Sequence, residues 1–444
     1  MTRKTLVCAL VLASHTGTAV AYNLKTTNSG ASVRWAEGPI AIDIGASNGS
    51  ERGAPGAATG SIAAGFHAWE QELDGAMLFE MVARDEVDLE VTSKDRINVV
   101  RWVYDGWAEE LDLDENALAM TLTTYKSHTG RIVDSDVLIN AERYDWTAGP
   151  VAASCGGAYD VQNVITHEAG HLLGLDHEAG ERESTMYPSS GMCETKKRTL
   201  EDDDRSGVQA LYLDTEAPEA PAAMGCSVGG GGNAAGAWLI VFAMLVASRR
   251  RSGAIGARRA VAGLAVVAAM FAAGAPANAT ALRGYSVADM VNRASVVAGG
   301  TVIEQRSLWS GDRIYTDSVL AVTECWAGTC ASSVTIRQLG GEVGEDGMWV
   351  EGTAPLAVGD DVVAFLRPRR DGSFAPTGMA QGVFHIRGTL AHRDLRSVTV
   401  IQSTSKGATQ LSEGATHLPG SLETRSLSSL RSAVNDARRH NSSR

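Results

Sequence analysis

Residues 167–177 read His-Glu-Ala-Gly-His-Leu-Leu-Gly-Leu-Asp-His, and the rest of the chain is read outward from them. On a helix, His167 and His171 lie on one face about a turn apart, the spacing that a single small cation requires. Glu168 follows the first histidine, so its carboxylate can point at the same ion without being a ligand. Gly174 opens a left-handed backbone conformation that ends the helix and turns the chain back, which returns His177 as a third ligand. Three neutral imidazoles suit zinc, and three protein ligands leave a fourth tetrahedral position for water, the mark of a catalytic site rather than a structural one. Glu168 is then expected to take that water's proton. The plain alternative is a helix whose histidines align by chance, and Gly174 and His177 in register make it much rarer.

Two downstream stretches extend the pattern: Ser184-Thr185-Met186-Tyr187-Pro188, and residues 200–212 (LEDDDRSGVQALY) with Asp203, Asp204, Gly207, Gln209, Leu211 and Tyr212. With residues 167–177, they resemble the metzincin zinc metallopeptidases, and within them the matrixin branch in a bacterial form. The resemblance is specific over residues 160–212 and diffuse before them. It implies an α+β catalytic domain with a twisted mixed sheet and three helices, one catalytic zinc, and protein or peptide substrates. It also implies that Met186 forms an apolar floor beneath the ligands, with Tyr187, Pro188, Gly174, Asp203 and Asp204 as structural support. Glu178 stands where animal matrixins usually carry serine. No cysteine-switch motif is visible, so latency through a thiolate on the zinc has no support.

A chain of 444 residues with 44% hydrophobic content suggests two or three globular domains. Residues 22–225 carry roughly twenty net negative charges and the remainder is net positive. An acidic first domain argues against nucleic acid or an anionic membrane as its ligand. Residues 1–21, with Arg3 and Lys4, an apolar run and Ala19-Val20-Ala21, form a signal-peptide pattern that would discard Cys8.

In the expected metallopeptidase domain, residues 22–215, Val33–Ile44 reads as a first strand or hairpin, residues 45–58 as a loop and Gly60–Glu72 as a helix. Met77–Ala83, Ile97–Val103, Leu118–Tyr125 and Arg131–Ile139 read as four strands. By the resemblance, Leu118–Tyr125 is a sheet edge above the cleft, to which an extended peptide adds as a further strand. His67 is expected to be structural or exposed. Asp160 or Asn163 is expected to cap the zinc helix. Cys155 and Cys193, flanking the site in an exported protein, are expected to pair. Asp134, Asp136 and Asp160 are calcium candidates with no supporting motif.

Residues 216–233 form a linker in which Cys226 precedes an apolar segment and an arginine cluster over 234–251. The three parts resemble a myxobacterial carboxy-terminal sorting signal, with Cys226 as the sorting cysteine. This places the peptidase outside in a type I-like orientation, at the cell surface or released, and in contact with the membrane through short apolar segments. Residues 252–281 repeat the anatomy of a signal peptide. The favoured account is two exported reading frames joined, and the other is a membrane hairpin with both domains outside. Residues 282–402, rich in Val, Ile and Thr between glycine-containing turns, read as a small all-β, barrel-like domain of unknown function. Cys325 and Cys330 are candidates for a short disulfide loop, and His385 and His392 for structural or surface roles. Residues 403–444 read as a polar tail, with Leu427, Leu430 and Val434 marking a short helix. The function expected is that of a secreted or surface-anchored zinc endopeptidase. The alternatives are a non-catalytic, surface-displayed binding protein and two exported proteins in one frame.

Overall fold

The computed structural model describes residues 22–213 and 282–442, apart from residues 37, 76–77, 85–88, 94, 109–110, 112, 116, 151–154, 179, 189, 284, 396–399 and 402–421. The expected signal peptide, Cys226, both apolar segments and most of the polar tail therefore lie outside the described residues. Among the described residues, no helix is long and apolar enough to cross a membrane.

The first sheet is mixed. Strand β1 (Ile40–Gly45) runs parallel to β2 (Phe79–Arg84) and β3 (Asn98–Val103), β3 runs parallel to β5 (Ile132–Asn140), and β4 (Ala119–Lys126) is antiparallel to β5. Helices α1 (Ala57–Glu70) and α2 (Val161–Leu173) cover one face, and α3 (Asp202–Tyr212) follows the site. Ile42, Ile44, Ile62, Phe66, Trp69, Val137, Ile139, Ile165 and Leu172 fill the layer between sheet and helices. Each such side chain, fully buried, contributes about 1.5–3 kcal/mol. Trp69 also donates its indole N–H to the Thr166 carbonyl at 2.7 Å, which pins α1 against α2. Residues 45–58 were expected to be loop throughout, but α1 already starts at Ala57, because Ala58 and Ile62 share its buried face with Phe66 and Trp69.

Alternate residues of the strands face the other way, where a second core forms. Val103, Met120, Leu122 and Leu138 pack there against Ile314, Tyr315, Leu339, Met348 and Val350 from the second half of the chain. That half contains a closed five-stranded barrel. Strand β6 (Val296–Ser310) pairs with β7 (Arg313–Ala327), β7 with β8 (Ser333–Leu339), β8 in parallel with a later strand, Phe374–Pro376, that strand with Asp361–Pro368, and the last with β6. This is the connectivity of an OB barrel. Between β8 and Asp361 a hairpin leaves the barrel, made of β9 (Gly341–Val343) and β10 (Asp346–Val350). Strand β10 pairs antiparallel with β4, so the first sheet continues past its own edge into β10 and β9.

The boundary drawn at residue 402 moves. Leu422–Ser426 pairs with Leu390–Asp394, and the helix Leu427–Ser442 buries Leu430, Val434 and Ala437 against Phe365 of the barrel and Phe384 of the adjoining strand Val383–Arg387. An apolar stripe at helical spacing inside a polar tail was the signal that this segment is a packed part of the domain.

Candidate metal centre

Helix α2 begins at Asp160, whose side chain accepts the Asn163 N–H at 2.8 Å and also holds Arg198, so Asp160 is the cap and Asn163 sits inside the helix. The helix ends at Gly174 in the left-handed region, φ 107°. A β-carbon there would lie 2.0 Å from the Val33 carbonyl oxygen, so only glycine fits at this turn. The chain then returns, and the His177 Nε2 stands 3.1 Å from that of His167 and 3.0 Å from that of His171.

The outer ring nitrogens of the two helix histidines are occupied. His167 Nδ1 lies 2.7 Å from the Thr185 carbonyl and His171 Nδ1 3.0 Å from the Leu175 carbonyl. Each Nδ1 therefore carries the proton, and the Nε2 lone pairs face inward. Burial pushes both imidazoles well below their ordinary pKa, aided at His167 by Lys197 and at His171 by His177, which keeps them neutral. Inward lone pairs about 3 Å apart repel one another unless a cation lies between them. Tetrahedral zinc with Zn–N distances of about 2.0–2.1 Å separates its nitrogens by roughly 3.3 Å, so this donor set fits zinc.

Glu168 is 6% exposed and accepts the Thr121 hydroxyl at 2.6 Å. Burial pushes its carboxyl up to about 7 against the lowering effect of that hydrogen bond. Beneath the histidines lies Met186, 3% exposed. A β-carbon on Gly170 would meet its sulfur at 2.2 Å and the Trp69 ring at 2.8 Å, so Gly170 is the gap into which the methionine packs. Asp204 holds this turn in place by accepting the Ser184 hydroxyl at 2.6 Å and the N–H groups of Thr185 and Met186 at 2.7 and 3.0 Å. It also caps α3 through the Glu201 N–H at 2.9 Å. Asp203, beside it, touches the same network only at Ser184, and burial together with the Asp204 charge pushes its carboxyl up to about 6. Tyr187 is fully buried, and Pro188 lines the cleft. Cys155 and Cys193 form a disulfide, as do Cys325 and Cys330.

Sequence reasoning missed five residues here. Thr121 reaches Glu168 from β4. Lys197 is fully buried with Nζ 3.3 Å from His167 Nδ1, and burial pushes it down to about 7. Lys25, also fully buried, donates to the His171 carbonyl at 3.1 Å and pairs with Glu351 at 3.0 Å. Glu351 and Gly352 line the same cleft as the three histidines and Glu168. Lys197 lies in a run of basic residues that reads as surface, and Glu351 is far away in sequence, so neither left a local signal.

The three calcium candidates are not gathered into one site. Asp160 is taken up by the helix and Arg198, whereas Asp134 and Asp136 lie buried within β5, where Asp136 accepts the Val99 N–H at 3.1 Å. Neither Asp134 oxygen has a hydrogen-bond partner among the described residues. Burial, with the Asp95 charge, pushes Asp134 up to about 8, and burial raises Asp136 as well. The folded chain thus keeps protons that an unfolded carboxyl, with an ordinary value of 3.8, has released. Stability from this pair is fullest below about pH 4 and falls as pH rises toward about 8. The variant Asp134→Asn, which keeps the neutral shape, is expected to raise the Tm at pH 8, by up to a few kcal/mol of stability, and to leave it nearly unchanged at pH 4. Thermal melts at the two pH values check this, and equal shifts at both would count against it.

Residues 35–213 match the family model for matrixin. Relatives carry the same signal over shorter stretches. Metalloendoproteinase 1 of Glycine max is 37% identical over 86 residues, 19% of this chain and 28% of that protein. Metalloendoproteinase 1-MMP of Arabidopsis thaliana is 51% identical over 55 residues, 12% of this chain and 15% of that protein. Metalloendoproteinase 2-MMP of the same plant is 46% identical over 59 residues, 13% and 15% respectively. The chain spans 28% or less of the length of these relatives. Together these similarities support a matrixin-like metallopeptidase, a family that implies zinc and protein or peptide substrates.

Proposed function

We propose that the chain is an exported zinc endopeptidase, with His167, His171 and His177 as the metal ligands and Glu168 as the proton carrier. Zinc supplies the Lewis acidity that makes water nucleophilic near neutral pH and polarises the scissile carbonyl. Glu168 takes the proton of the attacking water and delivers it to the departing amine nitrogen. Its carboxylate, buried beside the three histidines, is placed to serve both halves of that transfer. Thr121 holds the carboxylate in one rotamer, and Met186 and Asp204 fix the floor beneath the histidines. The observation that carries this reading is the convergence of three inward Nε2 atoms beside a buried glutamate. A full complement of histidines, glutamate and methionine favours hydrolysis over a display protein that has lost its chemistry.

The test uses the zinc-loaded full chain and an unfolded protein over a prolonged incubation. Cleavage is expected, a chelator is expected to stop it, and added zinc to restore it. Cleavage that persists undiminished in chelator would reject the reading.

A further inference from the structure

Strand β4 carries Thr121, which holds Glu168, and the outer edge of β4 is the side on which an extended peptide can add its own backbone. That edge is occupied. Strand β10 lies on it antiparallel, from Asp346 opposite Lys126 to Val350 opposite Leu122. The hairpin is held at its turn as well: the Ser127 N–H and hydroxyl donate to the Glu345 and Gly344 carbonyls at 2.9 Å, and Lys126 pairs with Asp346 at 2.6 Å. Met348 and Val350 enter the core shared with Met120 and Leu122.

Beyond β10 the chain enters the cleft. Glu351, 7% exposed, places Oε1 3.0 Å from Lys25 Nζ and 3.4 Å from His171 Nδ1. Gly352 then turns the backbone at φ 78° instead of continuing extended across the histidines. Backbone pairing is indifferent to sequence, and one edge accepts one strand. A substrate strand and β10 therefore exclude each other.

Resting on the peptidase reading above, we infer that the second half of the chain is a built-in inhibitor of the first. The hairpin 341–350 fills the substrate-strand site, Glu351 and Gly352 plug the cleft beside the histidines, and the barrel's apolar face anchors the plug. The enzyme is closed while the hairpin is seated and opens when it is withdrawn.

The test compares zinc-loaded full-length chains by their affinity for a fluorescent extended peptide ending in a hydroxamate. In the first variant, Gly347→Val, a β-carbon would lie 2.4 Å from the ring of the buried Tyr125, which unseats β10. Hydrogen exchange over residues 119–126 reports the unseating. In the second, Lys126→Cys with Asp346→Cys, a cross-link between opposed positions locks the hairpin down, and mass analysis verifies the bond. Gly347→Val is expected to bind at least tenfold tighter than the unmodified chain and to cleave peptide at least tenfold faster, and the locked chain to bind at least tenfold more weakly. Equal affinity in all three, with strand 119–126 exchanging freely in Gly347→Val, overturns the inference. Undiminished binding by the locked chain does so by itself. An unseated chain that binds the probe but cleaves nothing would instead reject the peptidase reading and leave the occlusion standing.

Discussion

Replacing Glu168 with glutamine is expected to lower kcat/KM for peptide hydrolysis by about 10³-fold while the chain keeps its zinc. Glutamine has nearly the same shape, and its carbonyl oxygen still accepts the Thr121 hydroxyl, which lies 2.6 Å from the native carboxylate. What is lost is a group able to hold a proton between the attack on the carbonyl and the departure of the amine. A thousandfold loss corresponds to roughly 4 kcal/mol of transition-state stabilisation, within the range that acid–base catalysis supplies. Steady-state kinetics together with metal analysis check both halves. Activity within tenfold of the native chain would remove Glu168 from the chemistry.

The second large effect is on stability. Asp204 is 1% exposed, and its two oxygens accept four hydrogen bonds, from the Ser184 hydroxyl and from the N–H groups of Thr185, Met186 and Glu201. Hydrogen bonds to a charged group contribute about 1.5–3 kcal/mol each, and truncation leaves buried donors unpaired. Asp204→Ala is therefore expected to cost about 3–5 kcal/mol and to loosen the turn that carries Met186 and the Thr185 carbonyl behind His167. Zinc affinity should fall along with the Tm. Asp203→Asn serves as the contrast, since its neighbour does the holding, and a much smaller change is expected. Denaturant titrations of the two variants check this, and equal or negligible losses would contradict the account.

The site was legible in the sequence to the extent that its parts lie near one another along the chain. His167, His171, Gly174 and His177 sit within eleven residues, and helix geometry plus one left-handed turn suffices to bring them together. The strands from β2 to β5 were legible within about two residues of their ends because their apolar runs are short and bounded by turn-forming residues. Asp204 was flagged through the family resemblance, but its grip on the methionine turn depends on a tertiary contact across about twenty residues that no spacing rule encodes. Thr121 looks like any residue of a strand rich in threonine. Strand β4 was expected to be a bare edge above the cleft. It is an edge only within the first half of the chain, because β10 comes from more than two hundred residues away. The hairpin's own sequence, with its glycines and acidic residues, resembles an ordinary barrel loop until its partner is known. The same limit applies to the terminal helix, whose apolar stripe was visible and whose seat on the barrel was not.

The most direct measurement is the zinc content of the purified full chain, read by elemental mass spectrometry beside His177→Ala. The account predicts one tightly held zinc per native chain and a loss of most of it in the variant, since the remaining two imidazoles cannot complete the set. A native chain free of zinc after exposure to it, or a His177→Ala chain that retains a full equivalent, would contradict the claim that these three imidazoles form a metal centre.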